Sequence, residues 1–334
     1  MASRCTFRLD PQAAGVAADA AAEIDEEWRC PHDAHPEADR CVFHLSSDAR
    51  DGLGVDADAV AERLRTVAGE RGKDAKCLLG ASLDDLSIRH EIVEAADKHP
   101  LDLRGATVTG TLDLSESEFE GRIDLSGAEI GAIDWTESEF DASVDLSGAV
   151  ARGETALTGA VFEGDVDLAG TAFEGPVDVR EARFNGDTTL RGARFRDAAT
   201  FDGAEFRGDA NLLDDDACFE DARFDAPVSF TEAAFRYADF VGCEFRDDAA
   251  FDRATFGGDA EFADATFAAT VTFASAAFDR DAAFDRAAFG GRADFAEARF
   301  DGDTAFSGAL FEAPATFAGA EFRGRDNLED DDLS

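Results

Sequence analysis

The chain has 334 residues, 45% of them hydrophobic, which is enough to bury one large core or two modest ones. It carries 74 acidic against 31 basic residues, a formal net charge of -43, and this excess argues against nucleic acid or an anionic membrane as a partner. Lysine occurs only at positions 73, 76 and 98, so arginine supplies nearly all the positive charge, a composition that also fits adaptation to a high-salt cytosol.

The sequence offers no sign of export or membrane insertion. Residues 1–15 contain no apolar run like that of a secretory signal, and no window approaches the roughly 18 apolar residues of a membrane span. The six cysteines, at positions 5, 30, 41, 77, 218 and 243, are too few and too scattered for a disulfide framework. We therefore expect a cytoplasmic protein.

Residues 1–100 show no short period and contain three segments that favour a helix. Residues 11–28 are alanine-rich, residues 56–72 are amphipathic and end at a glycine, and residues 82–100 begin like a capping box and stop before a proline. The apolar face of the second segment consists of Val60, Leu64 and Val67. The sequence predicts a small, mainly helical N-terminal domain that covers the open edge of the region beginning near residue 101.

This N-terminal domain also concentrates potential metal ligands. Three of the six cysteines and three of the five histidines lie in the first 44 residues. A tetrahedral Cys₃His zinc site could be formed by Cys5, Cys30, Cys41 and His44. His32 or His35 could replace one ligand, and the two C-x-F-x-L copies that begin at Cys5 and Cys41 could pair as strands. Because the spacing matches no finger or ribbon pattern, structural zinc, ordinary buried thiols and redox or catalytic thiol chemistry all stay open.

From about residue 101 to about residue 328, bulky apolar residues recur at alternating steps of five and six. In residues 251–267, FDRATFGGDAEFADATF, phenylalanine stands at 251, 256, 262 and 267, with a small residue two positions before each of the last three. Residues two apart on an extended segment point to the same side, whereas these steps fit no amphipathic helix. A short period over such a length predicts a solenoid. Two units, or 22 residues, would make one coil, so that phenylalanines stack vertically, one series being Phe251, Phe273, Phe295 and Phe317.

At these positions the chain resembles the pentapeptide-repeat family, whose consensus is roughly A-(D/N)-(L/F)-x-x. The matching triplets include ADF at 238–240 and 293–295, ANL at 210–212 and VDL at 144–146. The resemblance implies an all-β solenoid, a right-handed quadrilateral β-helix of about ten coils. Its centre would be filled by the bulky third residue and the small first residue of each repeat. We expect this β-helix over residues 101–328, followed by an acidic tail at 329–334.

The repeat is interrupted at three places, each of which predicts a bulge, kink or loop. One residue is missing between Leu125 and Leu146, about two are inserted before Phe219, and Phe235, Phe240 and Phe245 are spaced five and five. In this register Cys243 takes an inward slot and Cys218 an outward one, while Cys77 is expected to be a small buried apolar residue.

No catalytic motif stands out in the sequence, which contains no phosphate-binding glycine loop, nucleophile elbow or H-E-x-x-H. We therefore expect a non-catalytic binding or scaffold protein that contacts an unidentified protein partner, with no nucleic acid bound and the oligomeric state open. The resemblance implies one alternative, since some pentapeptide-repeat proteins mimic B-DNA and inhibit the type II topoisomerase gyrase. Those members usually dimerise through an apolar C-terminal end, whereas this chain finishes with the acidic RGRDNLEDDDLS.

Overall fold

The computed structural model describes residues 3–10, 27–208 and 217–327. These residues form a β-solenoid in which strands of mostly two residues stack in parallel ladders around one apolar core. We number the four ladders 1 to 4 in the order in which the chain visits them within a coil. Ladder 4 alone stacks 11 strands, so the solenoid has about 11 turns.

Each ladder receives one short strand from each coil that it spans. Ladder 1 comprises Leu101–Asp102, Ile123–Asp124, Val144–Asp145, Val166–Asp167, Thr188–Thr189, Ala217–Cys218, Ala238–Asp239, Ala260–Glu261, Ala282–Ala283 and Thr304–Ala305. Ladder 2 comprises Ser82–Leu83, Val150–Ala151, Ala172–Phe173, Arg194–Phe195, Arg223–Phe224, Glu244–Phe245, Thr266–Phe267, Ala288–Phe289 and Leu310–Phe311. Ladder 3 comprises Leu86–Ser87, Thr155–Ala156, Val177–Asp178, Ala199–Thr200, Val228–Ser229, Ala249–Ala250, Val271–Thr272, Ala293–Asp294 and Ala315–Thr316. Two longer strands belong to both ladders 2 and 3, namely Thr107–Asp113 and Glu129–Asp134. Ladder 4 comprises Ile92–Val93, Glu118–Phe119, Glu139–Phe140, Val161–Phe162, Arg183–Phe184, Glu205–Phe206, Ala234–Phe235, Thr255–Phe256, Ala277–Phe278, Arg299–Phe300 and Glu321–Phe322.

The core consists of the vertical phenylalanine stacks that the 22-residue coil predicts. Phe251 and Phe273 stack with ring centroids 4.8 Å apart and planes within 7°, and Phe273 continues onto Phe295 at 5.0 Å. Neighbouring stacks meet edge to face, as where Phe262 contacts Phe273 at 5.4 Å and 87°. Both geometries are favoured for aromatic pairs, and burying each ring contributes roughly 1.5–3 kcal/mol before entropy is subtracted.

Aspartate at the second position of a repeat has a local structural role. Asp145 Oδ1 accepts hydrogen bonds from the backbone N–H and the hydroxyl of Ser147, at 2.8 and 2.6 Å. Asp124 makes the same contacts with Ser126. Aspartate favours such turns because its short side chain reaches the backbone two residues on. Part of the acidity therefore belongs to the fold itself.

The irregularity predicted between Leu125 and Leu146 is a β-bulge. The register of Glu129–Asp134 against Thr107–Asp113 shifts between Ile130 and Ala132, where one residue fewer is used. Gly131 lies at this point, and a Cβ there would stand 2.4 Å from the carbonyl oxygen of Gly110. Only glycine allows the two strands to approach so closely.

The insertion before Phe219 is larger than the two residues predicted. Val166 pairs with Thr188, 22 positions later, whereas Thr188 pairs with Ala217, 29 positions later. Seven residues are therefore inserted after Phe206. The next strand of ladder 1 is Ala217–Cys218, whereas the repeat pattern had predicted a strand at the ANL triplet, residues 210–212. That triplet lies outside the described residues.

The N-terminal region, which we call the head (residues 3–76 where described), contains three helices and one short strand pair. The helices are α1 (Ser47–Leu53), α2 (Ala57–Ala68) and α3 (Lys73–Lys76), and the strands Arg8–Leu9 and Trp28–Arg29 pair antiparallel. The helix predicted over residues 56–72 is confirmed as α2, whose N-cap Asp56 accepts from the Ala59 N–H and whose predicted apolar face is buried. Most of the helix predicted over 11–28, like the acidic tail at 329–334, lies outside the described residues.

The helix predicted over residues 82–100 is wrong. This segment forms the strands Ser82–Leu83, Leu86–Ser87 and Ile92–Val93, which pair with the next coil along ladders 2, 3 and 4. Its apolar residues suit a helix as well as a coil, and pairing with Thr107–Asp113 overrides local propensity. The ladders therefore extend upstream of residue 101. Cys77 already forms an isolated parallel β-bridge with Asp102 through the backbone.

Candidate metal centre

Two neighbouring backbone segments of the head hold Cys5 and Cys30. The Cys5 N–H donates to the His32 carbonyl at 2.9 Å, and the Cys30 N–H donates to the Phe7 carbonyl at 3.2 Å. The first C-x-F-x-L copy thus runs beside residues 28–32. The predicted pairing of the two C-x-F-x-L copies is wrong, because the second copy is a turn.

That turn places Cys41 beside His44. Both the His44 and Leu45 N–H groups donate to the Cys41 carbonyl, at 3.0 and 3.1 Å, which closes a helix-like turn. Cys41 Sγ consequently lies 3.1 Å from His44 Nδ1. The Cys41 N–H also donates to Cys5 Sγ at 3.2 Å, joining the turn to the first segment.

We call Cys5, Cys30, Cys41 and His44 the Cys₃His cluster. Their four donor atoms all lie within 4.8 Å of one another, and all four residues are buried. The Sγ atoms of Cys30 and Cys41 are 3.7 Å apart, and Cys5 Sγ lies 4.0 Å from His44 Nδ1. A tetrahedral zinc with Zn–S bonds of about 2.3 Å requires an S···S edge of about 3.8 Å. The cluster therefore has the dimensions of a zinc centre.

The orientation of His44 suits metal binding. Its Nε2 donates to the Leu79 carbonyl oxygen at 3.0 Å, which directs Nδ1 toward the three sulfurs. The ring stacks on Phe7 at 3.9 Å, which limits its rotation. Metal-ligating histidines characteristically donate their second ring N–H to a carbonyl or carboxylate in this way.

The pKa shifts within the cluster indicate which protons a bound metal would displace. Burial opposes the charged form of His44, but hydrogen bonds that its ring donates to Cys41 and Cys5 prevail and raise its pKa to about 9. The hydrogen bond from Cys30 lowers the pKa of Cys41 to about 4, and the same contact, with burial, raises the pKa of Cys30. Without a metal, these shifts favour a Cys41 thiolate beside a His44 imidazolium, with the protons on His44 and Cys30 rather than on Cys41.

The two alternative histidines do not join the cluster. His32 is buried, and its Nε2 donates to the Cys77 carbonyl at 3.2 Å. His35 Nδ1 accepts from the Glu37 N–H at 3.3 Å. Both side chains are thus committed elsewhere.

The remaining cysteines lie near the solenoid core. Cys77 and Cys243 are buried as predicted, and the Cys243 thiol donates to the Phe219 carbonyl at 2.9 Å. Cys218 lies on an outward position but is only 3% exposed, which the sequence did not predict. Its sulfur lies within 4.8 Å of carboxylates of Glu220 and Asp239, but Arg191 already contacts Glu220 at 2.7 Å.

Cationic side chains that the sequence analysis did not single out connect the head to the first coil. Arg50 is buried, donates to the Leu45 carbonyl at 2.8 Å and pairs with Asp84 at 2.9 Å. Buried Lys76 pairs with Asp97 at 2.9 Å. Their spacing in the sequence follows no motif, so no sequence signal could have identified them.

The outer surface is charged along all four ladders. Outward carboxylates include Asp124, Glu244, Asp178 and Glu139, on ladders 1 to 4 respectively. Arginines bridge successive coils, as where Arg152 contacts Glu129 at 2.9 Å and Glu174 at 3.4 Å. Carboxylates cluster over three successive coils of ladder 4, and we call this region the acidic patch; it consists of Glu118, Glu120, Glu139, Asp141 and Glu163.

Short parallel strands stacked on four sides of a phenylalanine core define a repeat protein of the β-solenoid class. The family model for pentapeptide repeats (nine copies) matches residues 136–182, 170–214, 240–288 and 284–330, which together cover more than half of the chain. The chain therefore belongs to the pentapeptide-repeat family. A search among curated proteins finds no match. Within the part of the chain that the structure describes, none of the helices is long and apolar enough to cross a membrane.

Proposed function

We propose that this protein is a non-catalytic binding or scaffold protein that presents a rigid acidic rod to a protein partner. One observation supports the proposal above all: the large side chains of each coil point inward, while charged and small side chains repeat on every outer side. Such a surface is regular, extended and held by a continuous core, which suits docking along its length.

Charge restricts the chemistry of the partner. The whole chain has a net charge of -43, so it repels nucleic acid and anionic lipid and attracts a protein with a basic surface. The acidic patch is one favourable region, because five carboxylates lie on successive coils there, and burial and the neighbouring carboxylates of Asp141 and Glu118 raise the pKa of Glu139. A basic partner would relieve that repulsion.

High-salt adaptation and turn formation account for the remaining acidity. The carboxylates spread over all four ladders, and many pair with arginine or cap a turn. No feature of the described residues favours B-DNA mimicry, so we do not propose action on a type II topoisomerase. A reducing, cytoplasmic location is supported by six cysteines that are all free thiols.

We further propose that the Cys₃His cluster holds a structural zinc ion. Three thiolates and one imidazole are a donor set typical of structural zinc, and the convergence of four buried ligands leaves no open position for a substrate. The metal would join three segments of the head, namely those that carry Cys5, Cys30 and the turn from Cys41 to His44.

The binding role can be tested by recovering the tagged chain, in the salt of its own cytosol, from the cells that produce it. The test variant replaces Glu118, Glu139 and Glu163 with glutamine, and the matched control replaces Glu297, Glu312 and Glu321 with glutamine. We expect a stoichiometric protein partner with the wild type and the control, and loss of that partner with the test variant. Recovery of the chain alone under all conditions would contradict the proposal.

A further inference from the structure

We infer that metal binding at the Cys₃His cluster controls whether the head covers the N-terminal edge of the solenoid. This inference rests on the proposed zinc site and concerns its regulation. The relevant edge is the segment from Cys77 to Leu83, where the first coil begins and no earlier coil stacks on it.

The residues of the cluster and their immediate neighbours satisfy the polar backbone groups of this edge. The Phe43 carbonyl accepts from the Ser82 N–H at 2.8 Å. His44 Nε2 donates to the Leu79 carbonyl at 3.0 Å, and His32 Nε2 donates to the Cys77 carbonyl at 3.2 Å. Each contact comes from a residue within three positions of a cluster cysteine.

Apolar packing joins the same two parts of the molecule. Phe43 is completely buried. Gly80 faces Leu9 and Phe7 so closely that an added Cβ would lie 3.2 Å from a Leu9 methyl carbon. The side chains around the cluster therefore lie directly on the first coil.

A metal at His44 Nδ1 would preserve the contact between His44 and Leu79 and would add a cross-link within the head. Coordination occupies Nδ1 with a lone pair, so the ring proton must stay on Nε2, where it bonds Leu79. The same ion would cross-link Cys5, Cys30 and Cys41, which come from three separate segments. Because the described residues of the head form one short strand pair and three helices, losing that cross-link would open the head locally.

The solenoid should keep its structure when the head opens, because its ladders contain none of the cluster residues. In the open state the Ser82 N–H and the Leu79 carbonyl would face solvent. The metal-bound cluster would thus hold the head on the N-terminal edge of the solenoid, and loss of the metal would release the head.

Hydrogen exchange on the full-length protein, read at single amides, can test this inference. The zinc-loaded protein, with free zinc at 100 times its Kd, is compared with protein treated with a chelator and a reductant. Free zinc at 100 times its Kd favours the closed head about 100-fold. Removing the zinc should therefore make hydrogen exchange at the Ser82 amide about 100-fold faster. The Phe262 amide, which donates to Ala283 inside the rod, should exchange at the same rate in both samples.

Two results would overturn the inference, and metal analysis of the same samples separates them. If the chelated protein is free of zinc and Ser82 stays protected, zinc does not control docking of the head, whereas the zinc site itself is retained. If the untreated and zinc-supplemented proteins hold no metal, the zinc site is refuted, and so is its control of head docking. The Cys243→Ala variant serves as the matched control, because it removes a buried thiol without touching the head.

Discussion

The imidazole of His44 donates from Nε2 to the carbonyl oxygen of Leu79 at 3.0 Å, across the junction between the head and the first coil. One side chain therefore connects the candidate metal centre to the β-solenoid. The opposite ring nitrogen lies 3.1 Å from Cys41 Sγ. This ring thus couples the chemistry of the cluster to docking of the head.

The first prediction concerns metal content. Protein purified in high salt without added zinc should contain about one zinc per chain, as one Cys₃His site requires. The Cys30→Ser, Cys41→Ser double variant should contain none, because two of four ligands are lost. Metal analysis measures both. The Cys243→Ala control should keep its zinc, and equal metal in the double variant would count against the site.

The second prediction concerns proton release. In the metal-free protein the pKa of His44 is raised to about 9 and the pKa of Cys30 is also raised, so both groups carry protons at pH 7.5. Zinc requires both in their deprotonated forms, so binding should release at least two protons.

Calorimetric titration of zinc in buffers of different ionisation enthalpy counts these protons. The His44→Ala variant should release about one proton fewer. Zinc uptake without proton release would show that these groups are not the ligands.

The third prediction compares two aspartates at the same repeat position. Burial, and then the Asp145 charge, raise the pKa of Asp167, whose strand neighbour is Asp145. A raised pKa means that the ionised carboxylate destabilises the fold at neutral pH, and that this penalty vanishes once both states are protonated, below about pH 4. Asp167→Asn should therefore stabilise the protein by about 0.2–1 kcal/mol at pH 7.

The matched variant Asp178→Asn should have the opposite effect. Burial opposes ionisation of Asp178, but its hydrogen bonds with Arg180 prevail and lower its pKa. Its charge therefore contributes stability above about pH 4, and this is lost as the pH falls through the folded-state pKa. We expect a loss of about 0.2–1 kcal/mol at pH 7, since the pair is exposed. Thermal unfolding at pH 7 and pH 3 checks both variants, and equal signs would refute the argument.

The fourth prediction concerns the phenylalanine stacks. Phe262 is completely buried and stacks between Phe240 and Phe284, at 4.9 and 5.0 Å. Phe262→Ala should cost about 3–5 kcal/mol, because the rings above and below cannot close the cavity. Phe322 lies in the last strand of ladder 4 and is only partly buried, so Phe322→Ala should cost less. Chemical denaturation of both variants measures the difference, and equal costs would show that position along the stack is unimportant.

Much of the solenoid could be predicted because its signal is local and repeated. Phenylalanines such as Phe251 and Phe273 recur at a spacing that fits stacked coils and no helix. The segment around Leu83 and Leu86 could not be assigned in the same way, since an isolated apolar pattern fits two structures. The insertion before Phe219 was underestimated, because its length follows from the pairing of Thr188 with Ala217, which no local pattern indicates.

The candidate site was predictable in composition but not in geometry. Cysteine and histidine were conspicuous in the first 44 residues, so the four members of the cluster could be proposed from residue type alone. The choice of His44 over His32 depended on which of the two rings lay beside the sulfurs. That in turn depends on the Leu79 and Cys77 carbonyls, which are distant in sequence.

The sequence by itself determined the class of fold, the inward phenylalanine stacks and the acidic character of the outer sides. These features result from a short period, because each coil repeats the same contacts with its neighbours. Only the tertiary structure decided where the first coil begins, how many residues are inserted before Ala217 and which donors converge in the head. Those features depend on contacts between segments far apart in the chain, for which no local pattern exists.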